Sequence, residues 1–318
     1  MAALFPVSLL GDRARDALES GSSWRMLAAF SRGFYCQNQQ GRLVFLGPSS
    51  IGAGPLNVLC EMSERKDWQA EGFDTDTTVC SDGKTLSVDG RFEFAFENAR
   101  VWRAAALPEK WDRQLMAERL VRLAEEVCAR RPSGGLAGLI PGFSELRLNV
   151  SCASDPLMRA AWPGIQSLFL WLRSSLAAEA RDGASDAPEI QGLIGLGPGL
   201  TPSGDDLLGG CMIALHAFGQ ARIAQALGQV VLALAPTRTN AISMAHLGCA
   251  AEGQGAKALH GAIVALCSGS DSGFMQCLDE IGSIGASSGW DAVAGVFLAM
   301  QALLETNAAG KRSLLENA

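Results

Sequence analysis

The sequence predicts an α+β fold, in which a β-rich N-terminal domain, residues 1–104, precedes an α-helical C-terminal domain, residues 105–318. Three observations predict this division. Two hairpin signals, Asp82-Gly83 and Asp89-Gly90, separate short runs rich in Val, Thr and Phe. Apolar residues recur at every second position in the first part and at intervals of about 3.6 residues in the second. The segment 104–112 lies where the period changes and marks the passage between the domains.

Composition and charge limit the classes of function. Hydrophobic residues make up 48% of the chain and charged residues 19%, which is typical of a folded protein. The formal net charge of −7 argues against nucleic acid or an anionic membrane as a partner, so an anionic ligand would have to be captured locally. No apolar run reaches the ~20 residues of a membrane span, and the N-terminus lacks the basic region of a signal peptide.

The nine cysteines are scattered singly along the chain. Their number is odd and no C-x-x-C pair occurs, so the sequence indicates neither a disulfide framework nor a zinc site. This usage of cysteine predicts a cytoplasmic protein.

Strands are predicted between residues 30 and 104. Phe92, Phe94 and Phe96 alternate with small or polar residues, so their side chains are expected on the buried face of a sheet. The predicted strands cover residues 33–37, 42–46, 57–61, 77–80, 85–88 and 91–96.

The remainder of the chain has a helical pattern. Met116, Leu120, Leu123 and Val127 form one apolar stripe, and a second runs from residue 165 to residue 176. Residues 130–142 and 181–191 are predicted loops because they are rich in Gly, Pro and Ser. Further helices are predicted near residues 206–219, 221–235, 241–251, 256–268, 273–282 and 290–305.

The most informative stretch is Gly-Leu-Ile-Gly-Leu-Gly-Pro-Gly-Leu-Thr-Pro-Ser-Gly-Asp-Asp, residues 192–206. It leads directly into an apolar helix, so it is predicted to be a shaped loop that ends at a helix N-terminus. Glycines at alternate positions permit positive φ and let backbone N–H groups approach a ligand closely. Such a loop favours the binding of an anionic ligand. The structural alternative is that Ser203 or Asp205 simply caps the helix.

Two common phosphate-binding motifs do not fit this loop. Gly199 and Gly204 have the spacing of a P-loop, but Asp205 stands where that motif needs its lysine. Gly195-Leu196-Gly197 begins like a dinucleotide fingerprint, but Pro202 lies near the place of the last glycine and no clear strand precedes it.

The run from Gly195 to Asp206 resembles the signature of the AllH family, which is related to one subunit of bacterial oxamate carbamoyltransferase. The resemblance continues in Thr239-Asn240-Ala241-Ile242-Ser243 and in residues 284–291, and it extends over most of the chain. The chain departs from the family at Ala286, where the family often carries a histidine.

Asp205 and Asp206 are the candidate catalytic residues of the glycine-rich loop. Because two carboxylates would repel an anion held by the loop, either a Mg²⁺ ion lies between them or they accept hydrogen bonds from the N–H₂ group of an amide ligand. The resemblance favours the amide, and a pair of aspartates lacks the third ligand that usually fixes Mg²⁺, so we expect no cofactor. The candidate ligand-binding residues of this loop are Gly195, Gly197, Gly199, Thr201, Ser203 and Gly204.

Two further clusters precede apolar helices. In the first, the guanidinium of Arg238 suits a carboxylate or phosphate, and the equal alternative is an ordinary exposed arginine. Thr239 or Asn240 can cap the helix that follows. The second again places glycine and hydroxyl groups before a helix, so three helix starts are predicted to converge on one anionic ligand. The candidate ligand-binding residues are Arg238, Thr239, Asn240 and Ser243 in the first cluster, and Ser287, Ser288, Gly289 and Asp291 in the second.

No other catalytic pattern stands out. The three histidines, His216, His246 and His260, have no acidic partner at a diagnostic spacing, and no G-x-S-x-G elbow occurs. The resemblance implies a subunit of a carbamoyltransferase complex that acts on carbamoyl phosphate and oxamate or a similar amide acid, with other subunits as partners. The alternatives are a non-catalytic ligand-binding or scaffolding subunit, or a metal-dependent phosphotransferase or hydrolase.

Overall fold

The computed structural model describes residues 2–20, 23–62, 67–104, 111–148, 150–179 and 187–316. The chain divides into two compact units, Met1–Ala105 and Ala106–Ala318. The first is built mainly of strands and the second of helices, so the predicted α+β fold class is confirmed. The predicted passage between the domains falls largely on residues 105–110, which lie outside the described residues.

The N-terminal unit is an eight-stranded barrel. The strands are β1 (Ala3–Gly11), β2 (Ser23–Ala29), β3 (Phe34–Asn38), β4 (Leu43–Pro48), β5 (Asn57–Cys60), β6 (Thr78–Ser81), β7 (Thr85–Val88), β8 (Phe92–Ala95) and β9 (Arg100–Trp102). The strand order is β5-β4-β3-β2-β6-β7-β8-β1, and the pairing of β1 with β5 closes the barrel. The first part of β1 pairs with β8, and its last three residues pair with β9. Helix α1 (Asp12–Ser20) connects β1 to β2.

Aromatic side chains fill the barrel. Phe92, Phe94 and Phe96 are buried as predicted, and Trp68 packs edge-to-face on Phe34 with 5.1 Å between ring centroids. Both predicted hairpin turns form. Asp89 and Gly90 have φ of 55° and 61°, which is the left-handed conformation that such tight turns require.

The first part of the barrel was not predicted from the sequence. Strands β1 and β2 and helix α1 all precede residue 30, where no element was predicted. Strand β1 was not predicted because it contains Pro6, and proline is rare inside strands. In the structure Pro6 accepts a hydrogen bond from the N–H of Glu61, and β1 pairs with three strands that lie far away in the sequence.

The second unit consists of nine helices among its described residues. The two predicted stripes are buried and form part of one apolar core. Residues 137–142, predicted as loop, form a 3₁₀ turn around Pro141. The helices are α2 (Arg113–Arg130), α3 (Val150–Ser154), α4 (Pro156–Glu179), α5 (Ser203–Ala217), α6 (Ala221–Leu234), α7 (Ala241–Ala251), α8 (Lys257–Ser268), α9 (Asp271–Ile281) and α10 (Ser288–Glu316).

Helices α5 and α10 approach each other through backbone atoms. A Cβ on Gly210 of α5 would overlap the carbonyl oxygen of Ala292, and a Cβ on Gly295 of α10 would overlap that of Leu207. Glycine is therefore needed on both sides of the crossing. These contacts lie in the second and third turns of both helices, and at their N-termini the hydroxyl group of Ser288 bonds to that of Thr201, two residues before α5, at 2.7 Å.

In the described part of the chain, no helix combines the length and apolar character that would let it cross a membrane.

Candidate functional site at three helix starts

The glycine-rich loop has the backbone conformation that its sequence predicts. Gly195, Gly197 and Gly199 have φ of 76°, 117° and 94°, a region that residues with a side chain rarely adopt. The loop closes on itself, since the N–H of Gly204 donates to the carbonyl of Leu196 at 2.9 Å. The N–H groups of Gly197 and Gly199 make no hydrogen bond within the described residues, so they remain available to a ligand.

Asp205 ties this loop to helix α7. Its side chain is buried in the first turn of α5, and Oδ1 accepts a hydrogen bond from the N–H of Gly195 at 2.8 Å. Oδ2 accepts from the hydroxyl groups of Thr239, at 2.5 Å, and Ser243, at 2.7 Å. Both carboxylate oxygens are thus engaged by the protein itself. These contacts hold the loop and the start of α7 in place.

Asp206 has different surroundings. Its residue is half-buried, and Oδ2 is buried without a hydrogen-bond partner in the described structure. Burial raises the pKa of Asp206 well above its usual value, and the charges of Asp291 and Asp205 add to this effect. The hydroxyl groups of Thr201 and Ser288 act in the opposite direction, although they bond to each other at 2.7 Å rather than to Oδ2.

Asp291 lies fully buried in the first turn of α10. Oδ1 accepts a hydrogen bond from the N–H of Leu136 at 2.5 Å, whereas Oδ2 has no partner among the described residues. Burial raises the pKa of this carboxyl, and the hydrogen bond from Leu136 and the nearby hydroxyl groups of Ser203 and Ser287 offset part of the shift. The site therefore contains two buried carboxyl groups with one unpaired oxygen each.

Leu136 and Gly135 contact the candidate site but were not predicted from the sequence. A Cβ on Gly135 would approach Oδ1 of Asp291 to 2.6 Å, so glycine leaves the space that this carboxyl occupies. Both residues lie in the predicted loop 130–142, and the pair Gly134-Gly135 was the signal that could have drawn attention to them.

The second cluster supports the loop from the side of α7. Asn240 caps this helix by accepting from the N–H groups of Ile242 and Ser243, and its own amide donates to the carbonyl of Leu200 at 2.9 Å. The exposed Arg238 donates to the carbonyl of Gln191 at 3.0 Å. Its guanidinium therefore contacts the chain just before the loop.

The third cluster joins α10 to the rest of the site. Ser288 bonds to Thr201 of the loop, and Ser203 of α5 faces Asp291. A Cβ on Gly289 would overlap the carbonyl oxygen of Ile281, so this glycine lets the start of α10 lie against α9. The structure thus brings all three predicted clusters together, and whether they bind a ligand stays a prediction.

The three histidines make other contacts. Nε2 of His216 bonds to the carbonyl of Ala251, and Nε2 of His260 accepts from the N–H of Gly255. Burial lowers the pKa of His246 and of His260 to about 4. Both are therefore neutral near pH 7.

The fold and the site define an α+β protein whose helical unit carries a glycine-rich loop at the junction of three helix starts. Two buried, incompletely paired carboxyl groups lie at this junction. Among the described residues, no group of three or more His, Cys, Asp or Glu side chains is placed to hold a metal ion.

Residues 193–300 match the sequence model of the protein family described as "Oxamate carbamoyltransferase subunit AllH". The resemblance predicted from the sequence is confirmed over this segment, which contains every predicted site residue from Gly195 to Asp291. The match covers about a third of the chain, so the resemblance of the remaining residues stays a prediction. No curated protein and no solved structure matches the chain.

Proposed function

We propose that this chain is an AllH-like subunit of a cytoplasmic carbamoyltransferase complex, and that it binds carbamoyl phosphate together with oxamate or a similar small amide acid. One observation carries the proposal: the segment that matches the family contains both the glycine-rich loop and the two incompletely paired carboxyl groups. The family description names a subunit, and other subunits of the same enzyme are therefore the expected partners.

The two parts of the site suit the two ends of such ligands. The free N–H groups of Gly197 and Gly199 and the N-termini of α5 and α10 favour a phosphate or carboxylate. Asp206 offers an unpaired oxygen to an amide N–H₂ group, whereas Asp205 already accepts three hydrogen bonds. We therefore assign recognition of the amide to Asp206 and support of the loop to Asp205.

In the proposed reaction the amide nitrogen of oxamate attacks the carbonyl carbon of carbamoyl phosphate. A C–N bond forms, the C–O bond to the phosphate breaks, and inorganic phosphate leaves with the electron pair. The nitrogen loses one proton, and we assign its acceptance to Oδ2 of Asp206, which has no hydrogen-bond partner among the described residues. The site contributes chiefly by positioning the reactants and by stabilising negative charge.

Binding measurements test this assignment. Asp206→Asn replaces a charged acceptor by a neutral amide, so we expect oxamate binding to weaken by about 1.5–3 kcal/mol while inorganic phosphate binds as well or better. Asp279→Asn, which changes an exposed aspartate on α9, serves as the control. The ligands are oxamate, carbamoyl phosphate and phosphate, measured by calorimetry with the full chain and with the complex purified from its host.

The outcomes separate the candidate functions. Carbamoyl transfer that requires the assembled complex supports the proposal, whereas full activity of the single chain contradicts the assignment as a subunit. Binding without any effect on transfer in the complex indicates a non-catalytic ligand-binding subunit. If none of the three ligands binds to the chain or to the complex, the proposed function is wrong.

A further inference from the structure

The candidate site contains three acidic side chains that no basic side chain of the described ranges neutralises. Asp205, Asp206 and Asp291 lie in the first turns of α5 and α10. None of them makes an ion pair with a lysine, arginine or histidine of those ranges. Arg238, the arginine predicted at the site, donates to the carbonyl of Gln191 at 3.0 Å instead.

An anionic ligand would increase the negative charge of this site. One oxygen each of Asp206 and Asp291 is buried and has no hydrogen-bond partner in the part of the chain that is described. Hydroxyl groups and helix N-termini supply only partial positive charge. A carbamoyl phosphate held here would therefore lie beside acidic groups without a full positive charge to balance it, which is unfavourable in a partly buried site.

Three exposed segments without charged residues border the site. They are residues 133–134, 198–200 and 285–286, and together we call them the rim. Contacts within the site hold the three segments together. A Cβ on Gly135 would lie 2.9 Å from the Cβ of Ser287, and the hydroxyl groups of Thr201 and Ser288 are 2.7 Å apart. Each segment directly precedes one of these contacting residues, so the rim is continuous around the site.

The composition of the rim is that of a protein interface. Its residues are Ser, Gly, Pro, Gly, Leu, Gly and Ala, and the cores of protein interfaces are depleted of charged residues. The small residues let a second chain approach the backbone closely. Leu200 is 37% exposed, and its backbone is held in place because its carbonyl accepts from the amide of Asn240 at 2.9 Å. The rim therefore presents an apolar side chain on a fixed loop.

We propose that the rim is the docking surface for another subunit of the same complex, and that this subunit places an arginine or lysine side chain in the site. This inference rests on the proposed function for the complex and for the anionic ligand. The cation of the partner balances the charge of the phosphate and of Asp206, which is half-buried and lies behind the rim. The ligand site is then complete only in the assembled complex.

The sign of the charge on the partner can be tested at Leu200. Leu200→Lys and Leu200→Glu remove the same apolar side chain and add opposite charges. We expect Leu200→Lys to weaken assembly with the remaining subunits by about tenfold or more, and Leu200→Glu to weaken it less, because the lysine repels the cation of the partner. The full chain and the remaining subunits, separated from the host complex, are mixed and their dissociation constant is measured by calorimetry.

Leu232 on α6 provides the matched control, since it is 39% exposed and lies outside the rim. Leu232→Lys and Leu232→Glu should assemble as tightly as the wild type. Ala286→Lys and Ala286→Glu repeat the comparison on a second segment of the rim, so the test does not depend on one position. Thermal unfolding of each isolated variant checks that the helical unit is folded.

The results separate the two parts of the proposal. Wild-type assembly of the Leu200 and Ala286 variants would overturn the docking surface. Equal weakening by lysine and glutamate would overturn the cation. We also expect inorganic phosphate to bind the complex about tenfold or more tightly than the isolated chain, and equal affinities would again contradict the cation.

Failure of this inference differs from failure of the proposed function. If the complex transfers carbamoyl groups but the rim variants assemble normally, only the docking surface is wrong. If the wild-type complex binds neither carbamoyl phosphate nor oxamate, the proposed function is wrong, and weaker assembly of Leu200→Lys than of Leu200→Glu would still support the docking surface.

Discussion

Asp205 and Asp206 are neighbours with the same side chain and different surroundings. Successive residues of an α-helix point about 100° apart, so one carboxylate turns toward the loop and α7 while the next turns toward α10. The first accepts three hydrogen bonds, and the second keeps an oxygen without a partner. The sequence identified both residues as candidates but could not separate their roles, because the difference depends on what α7 and α10 bring to each side.

The contact between Thr239 and Asp205 provides a test at the residue scale. Thr239→Val keeps the shape of the side chain and removes one donor to a buried carboxylate, so we expect the free energy of unfolding to fall by about 1.5–3 kcal/mol. Denaturant unfolding measures this change. The control is Thr237→Val, since the hydroxyl of Thr237 is exposed and donates only to a backbone carbonyl, and a loss below about 1 kcal/mol is expected. Equal losses in the two variants would show that the hydrogen bond to Asp205 stabilises the fold no more than an exposed hydroxyl–carbonyl bond does.

At the scale of elements, local patterns were predicted more accurately than long-range contacts. The Asp-Gly turns and the apolar stripes were confirmed, because each depends on residues close together in the chain. The closure of the barrel by β1 and β5 and the bond from Leu136 to Asp291 were not predicted, since no local pattern encodes a contact between distant residues. The helix starts of the site were predicted from glycine and hydroxyl content, but their contacts were not.

The crossing of α5 and α10 gives a test of helix packing. Gly210→Ala would place a methyl group on the carbonyl oxygen of Ala292, so we expect a loss of about 1–3 kcal/mol in the free energy of unfolding. Gly209→Ala is the matched control on the same helix. A Cβ there would lie 3.6 Å from the Cβ of Ala250, an ordinary contact, and the higher helix propensity of alanine should leave stability unchanged or raise it by up to about 1 kcal/mol. If Gly210→Ala is as stable as Gly209→Ala, the close backbone contact between α5 and α10 at Gly210 is contradicted.

For the whole molecule, the buried carboxyl groups predict how stability depends on pH. The pKa values of Asp206 and Asp291 are raised in the folded chain relative to about 3.9 when unfolded. The stability that these two groups contribute is fully present below about pH 4. It is lost as pH rises through the folded pKa values, where the free energy of unfolding falls by at most about 1.4 kcal/mol per group for each pH unit. Asp206→Asn mimics the protonated form, so its unfolding midpoint should exceed that of the wild type at neutral pH and match it in acid. Urea unfolding at several pH values measures this, and an unchanged pH dependence would count against it.

The two compact units predict the course of unfolding. Each has its own buried core, so we propose that residues 1–104 and 105–318 fold as independent domains. Calorimetry of the full chain should show two transitions, each reproduced by one of the separately expressed segments. A single transition that neither segment reproduces would mean that the two units fold as one.

The glycines at the crossing of α5 and α10 also have a consequence for the ligand binding that we propose. Helices that touch through carbonyl oxygens and Cα atoms cannot slide past each other without breaking backbone contacts, so the spacing between the first turns is set by rigid parts of the chain. Asp206 and Asp291 are attached to those turns. The distance between these two turns is therefore fixed before any ligand of the proposed site arrives, so the proposed binding would lose little free energy to ordering the two helices.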